Sequence, residues 1–180
     1  MTALLSSLSK PALQTPFVGP SWQRGARYLA VALLAQSTTL HYLTLRNAEL
    51  SPVLVVVVWY AISTDVRRAA IFGLCAGFVE DALSGGTGGS WTLATSLTAI
   101  CTAMLSSGFF SDSIPLLSAI VVVATLMRNA IFWFVMLLQG YPPGLGSQHL
   151  HQTLWQAALN ATLLVAIMLL SRYSTNRRAG

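Results

Sequence analysis

The stretch IPLLSAIVVVATLMRNAIFWFVMLL, Ile114–Leu138, decides the fold. Twenty-five residues contain one charge, Arg128, and no helix breaker beyond Pro115 in what would be the first turn. A bilayer core needs about 20 apolar residues per helical crossing, so this segment is long enough to span one. Its surroundings are similar. Residues 129–171 hold no Asp, Glu, Lys or Arg, and neither do residues 82–111. Over all 180 residues, 54% are hydrophobic and 8% charged, and mean hydropathy is +0.65. A soluble domain carries roughly 25% charged residues. The composition argues against a soluble enzyme, a nucleic-acid-binding domain and a disulfide scaffold. It predicts an all-α integral membrane protein with little chain outside the bilayer.

Working outward gives six apolar segments: about 26–45, 50–62, 69–83, 90–106, 114–138 and 150–171. Pro52 falls in the first turn of the second, where a missing N–H costs little. Gly, Pro, Ser and Asp dominate the breaks, which is turn chemistry. Residues 1–23, with Pro11, Pro16, Gly19 and Pro20, read as a short cytoplasmic leader. Residues 24–173 form the six-helix domain, and 174–180 a basic cytoplasmic tail.

Six crossings put both termini on one side. That side holds Lys10, Arg24, Arg27, Arg67, Arg68, Arg172, Arg177 and Arg178; the other holds only Arg46. Lys and Arg in short loops mark the cytoplasmic face, so both termini are expected inside. The net charge of +5 thus reflects orientation rather than a nucleic-acid footprint. Trp22, Tyr28, Trp59, Tyr60 and Tyr173 fall near inner ends, and Tyr42, Trp91, Trp133, Tyr141 and Trp155 towards outer ends. Aromatic belts are expected at both interfaces.

Charges inside a span are costly and point to function or pairing. Glu80, Asp81 and Arg128 are the three here. Asp81 lies roughly 20 Å along its helix from the inner end, and Arg128 roughly 22 Å along its own, at 1.5 Å per residue. The expectation is an intramembrane pair between Arg128 and one of the acids. The alternatives are acids that reach outer water while Arg128 snorkels, or a ligand or proton role.

Gly73, Gly77 and Asp81 recur at four-residue spacing and share a helix face. Small residues so spaced let another helix approach closely, either within the chain or from a partner. Cys75 and Cys101 read as small buried core residues. The run Ser84–Ser90 lacks the Lys-Ser/Thr ending of a phosphate loop and reads as a turn. His149 and His151 have no acidic or Cys neighbour to complete a metal site, and His41 reads as interfacial. Thr92, Thr95, Ser96, Thr98 and Thr102 can bond their own helix or a neighbour. No constellation suits catalysis, and no cofactor motif or metal-ion site is present in the sequence.

The stretch Ser51-Pro52-Val53 through Ala61, then Arg67-Arg68, then Gly73 through Gly85 with Glu80-Asp81 near its end, resembles the rod shape-determining protein MreD family. That family combines a Pro followed by an apolar run, a basic turn, a Gly-rich helix ending in Asp and a glycine-containing outer loop. The resemblance implies a non-enzymatic inner-membrane scaffold of the bacterial cell-elongation complex, supporting lateral peptidoglycan synthesis and rod shape. It implies as partners MreC, RodA, a class B penicillin-binding transpeptidase and MreB, alongside membrane lipid. It also implies a fold similar to the substrate-binding subunits of energy-coupling-factor transporters. A vitamin-binding subunit of that type, or a small proton-coupled transporter, are the alternative functions. On the scaffold reading, Pro52, Gly73, Gly77 and Asp81 are expected to serve helix packing or partner contact.

Overall fold

The computed structural model describes residues 19–38, 44–45, 48–85, 88–106 and 113–179. The expected leader therefore lies largely outside the described residues, as do Lys10, His41, Tyr42 and Arg46. Among the described residues are six α-helices: α1 Trp22–Thr38, α2 Pro52–Ile62, α3 Val66–Leu83, α4 Ser90–Ser106, α5 Ile114–Leu138 and α6 Gly146–Ala179. Two residue pairs, β1 Thr44–Leu45 and β2 Ala48–Glu49, form a small antiparallel ribbon between α1 and α2, with Thr44 opposite Glu49. A 3-10 turn, Pro143–Leu145, leads into α6.

The sequence expectation carried the first helix to residue 45; its described part is Trp22–Thr38, residues 39–43 lie outside the described residues, and Thr44–Leu45 is a strand. The Ser37 and Thr38 hydroxyls both bond back to the Leu34 carbonyl. α3 starts three residues before the expected 69, at Val66, directly after an extended Asp65. It thereby takes in Arg67 and the exposed Arg68, which lies 3.5 Å from Asp65. The expected tail is likewise absorbed, because α6 runs without a break to Ala179.

α2 is the centre. Val53, Leu54, Val57, Val58, Tyr60 and Ala61 are all fully buried. A helix that is apolar all round lies in a protein core or in lipid, and the Val-rich run of α2 is wrapped by other helices. One side packs with Leu29, Ala32, Phe72, Ala76 and Ala99 of α1, α3 and α4. The other packs with Val121, Ala124 and Leu164 of α5 and α6. At the end of α2 near Trp22, the rings of Tyr60 and Phe72 stack at 4.1 Å. Gly25 of α1 leaves the room they need, since a Cβ there would lie 2.8 Å from the Tyr60 ring.

α3 and α4 pack closely along the glycine stripe. A Cβ on Gly73 would meet the Ala99 Cβ at 2.6 Å, and one on Gly77 would meet Thr92 Cα and the Trp91 carbonyl oxygen at 2.7 Å. The turn between the two helices uses left-handed backbone at Gly85, Gly88 and Gly89, conformations that favour glycine.

Polarity is distributed inside out. Ser51, Glu80, Thr95, Arg128, Asn129 and Asn160 are at most 5% exposed. Large apolar side chains point outward on every long helix, among them Leu34, Phe78, Met104, Phe134, Leu138 and Leu170. Two helical stretches, Ile114–Leu138 and Gly146–Ser171, are long and apolar enough to cross a membrane by length and composition. Only 28% and 22% of their most apolar windows are buried, unlike the wrapped core helix of a soluble domain. α2 is as apolar but has eleven residues.

Candidate functional site: a buried ion cluster and the cavity beside it

Four helix segments bring their polar residues to one point. Pro52 is the first residue of α2, and Ser51 caps it: the Ser51 hydroxyl accepts from the Leu54 N–H at 3.4 Å. A Ser followed by Pro at the first helical position is a common helix start. The same hydroxyl accepts from Arg128 Nη1 at 3.0 Å. Arg128, three-fifths of the way along α5, is 1% exposed. Its Nη2 lies 2.6 and 2.7 Å from the two carboxylate oxygens of Glu80 on α3. Its Nε donates to the Thr95 hydroxyl of α4 at 3.1 Å. Thr95 in turn donates to Glu80 Oε2 at 3.2 Å, closing an Arg–Thr–Glu ring. Trp91 covers the guanidinium, 4.4 Å from its ring centroid.

This geometry neutralises two charges and engages all three guanidinium nitrogens. A buried ion pair of this kind does not add much stability over an apolar replacement of equal volume, but breaking it by removing one member costs about 3–5 kcal/mol. It therefore acts as a register device, holding α3, α4, α5 and the start of α2 in one arrangement.

Asp81, the next residue, is not a partner of Arg128. Successive helical residues point about 100° apart at 3.6 per turn, and Asp81 faces the first turn of α4. Its Oδ1 accepts from Trp91 N–H at 3.1 Å and its Oδ2 from Thr92 N–H at 2.7 Å, with the Thr92 hydroxyl also donating to Oδ2. The first N–H groups of a helix have no partner within it, and a carboxylate there also suits the helix dipole. Gly73, Gly77 and Asp81 are thus one continuous seam against α4. Along this seam Gly73 and Gly77 pack within the chain, against α4.

A second polar layer continues from Ser51. Its N–H donates to Asn160 Oδ1 of α6 at 2.9 Å, and Asn160 Nδ2 donates to the Thr125 hydroxyl of α5 at 3.2 Å. Asn129 Nδ2 donates to the Thr125 carbonyl at 3.0 Å and to Gln156 Oε1 at 2.7 Å. Gln156 Nε2 donates to the Glu49 carbonyl at 2.9 Å. The ribbon before α2 is thereby tied to α6.

Alongside this layer lies a cavity of about 270 Å³ between β2, α4, α5 and the start of α6. Phe132 and Trp91, stacked at 3.9 Å, form one wall. His149 stacks on Trp133 at 5.0 Å and also lines it. A second, apolar groove of about 230 Å³ runs between α4 and α5, past Thr102, Ile120 and Met127.

The charges were visible in the sequence; Ser51, Thr95, Trp91 and Asn160 as their neighbours were not. Ser51 before Pro52 carried a capping signal, and Asn129 and Asn160 are polar residues in otherwise apolar helices. Either signal would have singled them out. His151 receives a hydrogen bond from Trp155 at 3.3 Å one turn on, and the described residues contain no group of three or more potential metal ligands. No family model, curated protein or solved structure matches the chain.

Proposed function

We propose that this chain is a six-span inner-membrane subunit without catalytic activity, with both termini cytoplasmic, that serves as a scaffold in the cell-elongation machinery of a rod-shaped bacterium. The observation that carries a bilayer location is the inside-out arrangement. Large apolar side chains face outward while Arg128 and Glu80 are buried against each other. In water such an exterior would be an aggregation surface; in lipid it is the required one. The eight-to-one distribution of basic residues supports the orientation.

The rod-complex assignment is supported by the resemblance of the Ser51–Gly85 stretch to MreD, and with it the expected partners MreC, RodA, a class B penicillin-binding transpeptidase and MreB. The ion cluster supports a scaffold over a proton-coupled transporter, because the guanidinium and carboxylate are locked to each other and to two hydroxyls. Since the glycine seam is filled by α4, partner spans meet outward faces instead, such as Leu74 and Phe78 of α3.

The test is purification of the tagged chain from native membranes under mild detergent. Co-purification of MreC is the expected result. A chain that comes out without MreC but with a bound vitamin would overturn the scaffold and favour the transporter subunit.

A further inference from the structure

We propose that the basic end shared by α1 and α3 binds the headgroup of an anionic phospholipid, whose acyl chain lies along the outward face of α1. The proposal rests on the bilayer location argued above. Arg24 and Arg27 stand in the first two turns of α1, and Arg67 and Arg68 in the first turn of α3. All four are exposed. Aromatic packing holds the two helix starts together. The Trp22 ring lies 5.8 Å from that of Tyr60, at the end of α2, and 6.3 Å from that of Phe72 in α3. Gly25 permits this approach, since a Cβ there would sit 3.1 Å from the Phe72 ring.

The charge at this end is one-sided. The acids among the described residues are Glu49, Asp65, Glu80 and Asp81. Glu49 precedes α2, while Glu80 and Asp81 close α3, so these belong to the opposite end of both helices. Asp65 is the acid at this end among the described residues, and it lies 3.5 Å from Arg68 Nε. Arg24, Arg27 and Arg67 are left as the excess positive charge. Arg27 gives its Nε hydrogen to the Gln23 carbonyl at 3.2 Å, which leaves both of its Nη groups as donors. Guanidinium groups bind phosphate oxygens through paired, charge-assisted hydrogen bonds.

The apolar surface beside the arginines selects a lipid over a soluble anion. Arg27, Val31 and Leu34 follow one another at four- and three-residue spacing and so share a face of α1. Val31 is 66% exposed and Leu34 65%. A guanidinium at the water boundary, followed by an apolar row running into hydrocarbon, matches both parts of a phospholipid. Soluble phosphate would engage only the first part. Trp22 and Tyr28 flank the arginines and are themselves exposed, and such rings settle at headgroup depth. Basic residues at the membrane surface each attract anionic lipid by about 1 kcal/mol.

The test is native mass spectrometry of the full chain in detergent, titrated with phosphatidylglycerol and with phosphatidylcholine of the same acyl chains. Phosphatidylglycerol should be retained at least tenfold more tightly. Arg24→Gln/Arg27→Gln/Arg67→Gln should abolish that preference, at about fivefold per basic residue lost. Arg172→Gln/Arg177→Gln/Arg178→Gln removes the same charge from the end of α6 and should preserve it. Arg24→Lys/Arg27→Lys/Arg67→Lys should keep most of it. The three α1 and α3 positions are exposed, so their glutamine variant should melt as the parent does. If it melts earlier, Arg24→Gln and Arg67→Gln alone carry the test, each with about a fivefold loss expected. Equal retention of the two lipids would strike the headgroup site and leave the arginines to an acidic protein segment. An equal loss of preference in the α6 variant would also overturn the proposal. Displacement of bound phosphatidylglycerol by inorganic phosphate, beyond that by chloride at equal ionic strength, would give the site to a soluble anion. Retention of neither lipid would count against the bilayer location as well, whereas equal retention of both leaves that location standing.

Discussion

Glu80 and Asp81 are adjacent in sequence and serve different helices: Glu80 holds Arg128 of α5 at 2.6 Å, while Asp81 holds the backbone of α4 through Trp91 and Thr92. Two carboxylates about 100° apart on α3 thus fix two neighbours at once. One sets a side-chain register, the other a helix end.

The ion pair predicts a specific pattern of coupling. Arg128→Leu leaves Glu80 buried without its counter-charge and should destabilise the protein by about 3–5 kcal/mol. Adding Glu80→Leu removes both charges and should recover a large part of that loss. Adding Asp81→Leu to Arg128→Leu should give no recovery, only a further additive loss. Thermal melting of the single and double variants in detergent measures each cycle. Additivity of Arg128→Leu with Glu80→Leu would contradict a direct pair.

Asp81 should behave as a helix cap. Asp81→Ala leaves the Trp91 and Thr92 N–H groups without their acceptor and should cost about 0.5–2 kcal/mol. Asp81→Asn keeps one amide oxygen and should cost less. A melting temperature for Asp81→Asn as low as that for Asp81→Ala would show that the charge, acting on the helix dipole, outweighs the hydrogen bonds.

How much of this was legible beforehand differs between elements. α2, α4 and α5 follow directly from apolar runs bounded by Ser-Pro, the glycine turn and Ser113. The strand at Thr44–Leu45 was not legible, because residues 39–45 continue the apolar pattern of the first helix. Depth along the helix placed both Glu80 and Asp81 level with Arg128. Depth alone does not separate them; that requires the rotation of α3, which the Gly73–Gly77 contact with α4 fixes. The hydroxyls that complete the cluster belong to Ser51 and Thr95, residues 77 and 33 positions from Arg128. Side-chain periodicity within a helix carries no information over such distances.

The glycine seam gives a graded prediction. Even one methyl group on Gly77 would lie 2.7 Å from the backbone of α4 at both Trp91 and Thr92, and backbone yields less readily than a side-chain tip. Gly77→Ala should therefore be destabilising, and Gly77→Leu more so; overpacking of this kind typically costs about 1–3 kcal/mol. Separation of α3 and α4 would also pull Asp81 from its cap. Melting temperature read together with the yield of folded protein checks the order parent, Ala, Leu. Normal stability of Gly77→Ala would mean that the two helices do not approach so closely.

Orientation is tested by thiol labelling in a background in which Cys75 and Cys101 have been replaced. Gln23, at the start of α1, and Ser147, at the start of α6, are both exposed, so a cysteine at either position is reachable from its own side of the membrane. On the proposed topology, Gln23 lies with Arg24 and Arg27 at the cytoplasmic end and Ser147 at the opposite end. In intact spheroplasts an impermeant maleimide should label Ser147→Cys and leave Gln23→Cys unlabelled until the membrane is opened. The two positions are separated by five of the six helices, so an odd number of crossings between them puts them on opposite faces. Labelling of both before permeabilisation would remove one crossing, and α2, with only eleven residues, would be the helix to suspect. Labelling of Gln23→Cys alone would keep all six crossings and invert the orientation, leaving the ion cluster intact but placing the cavity beside Asn129 towards the cytoplasm.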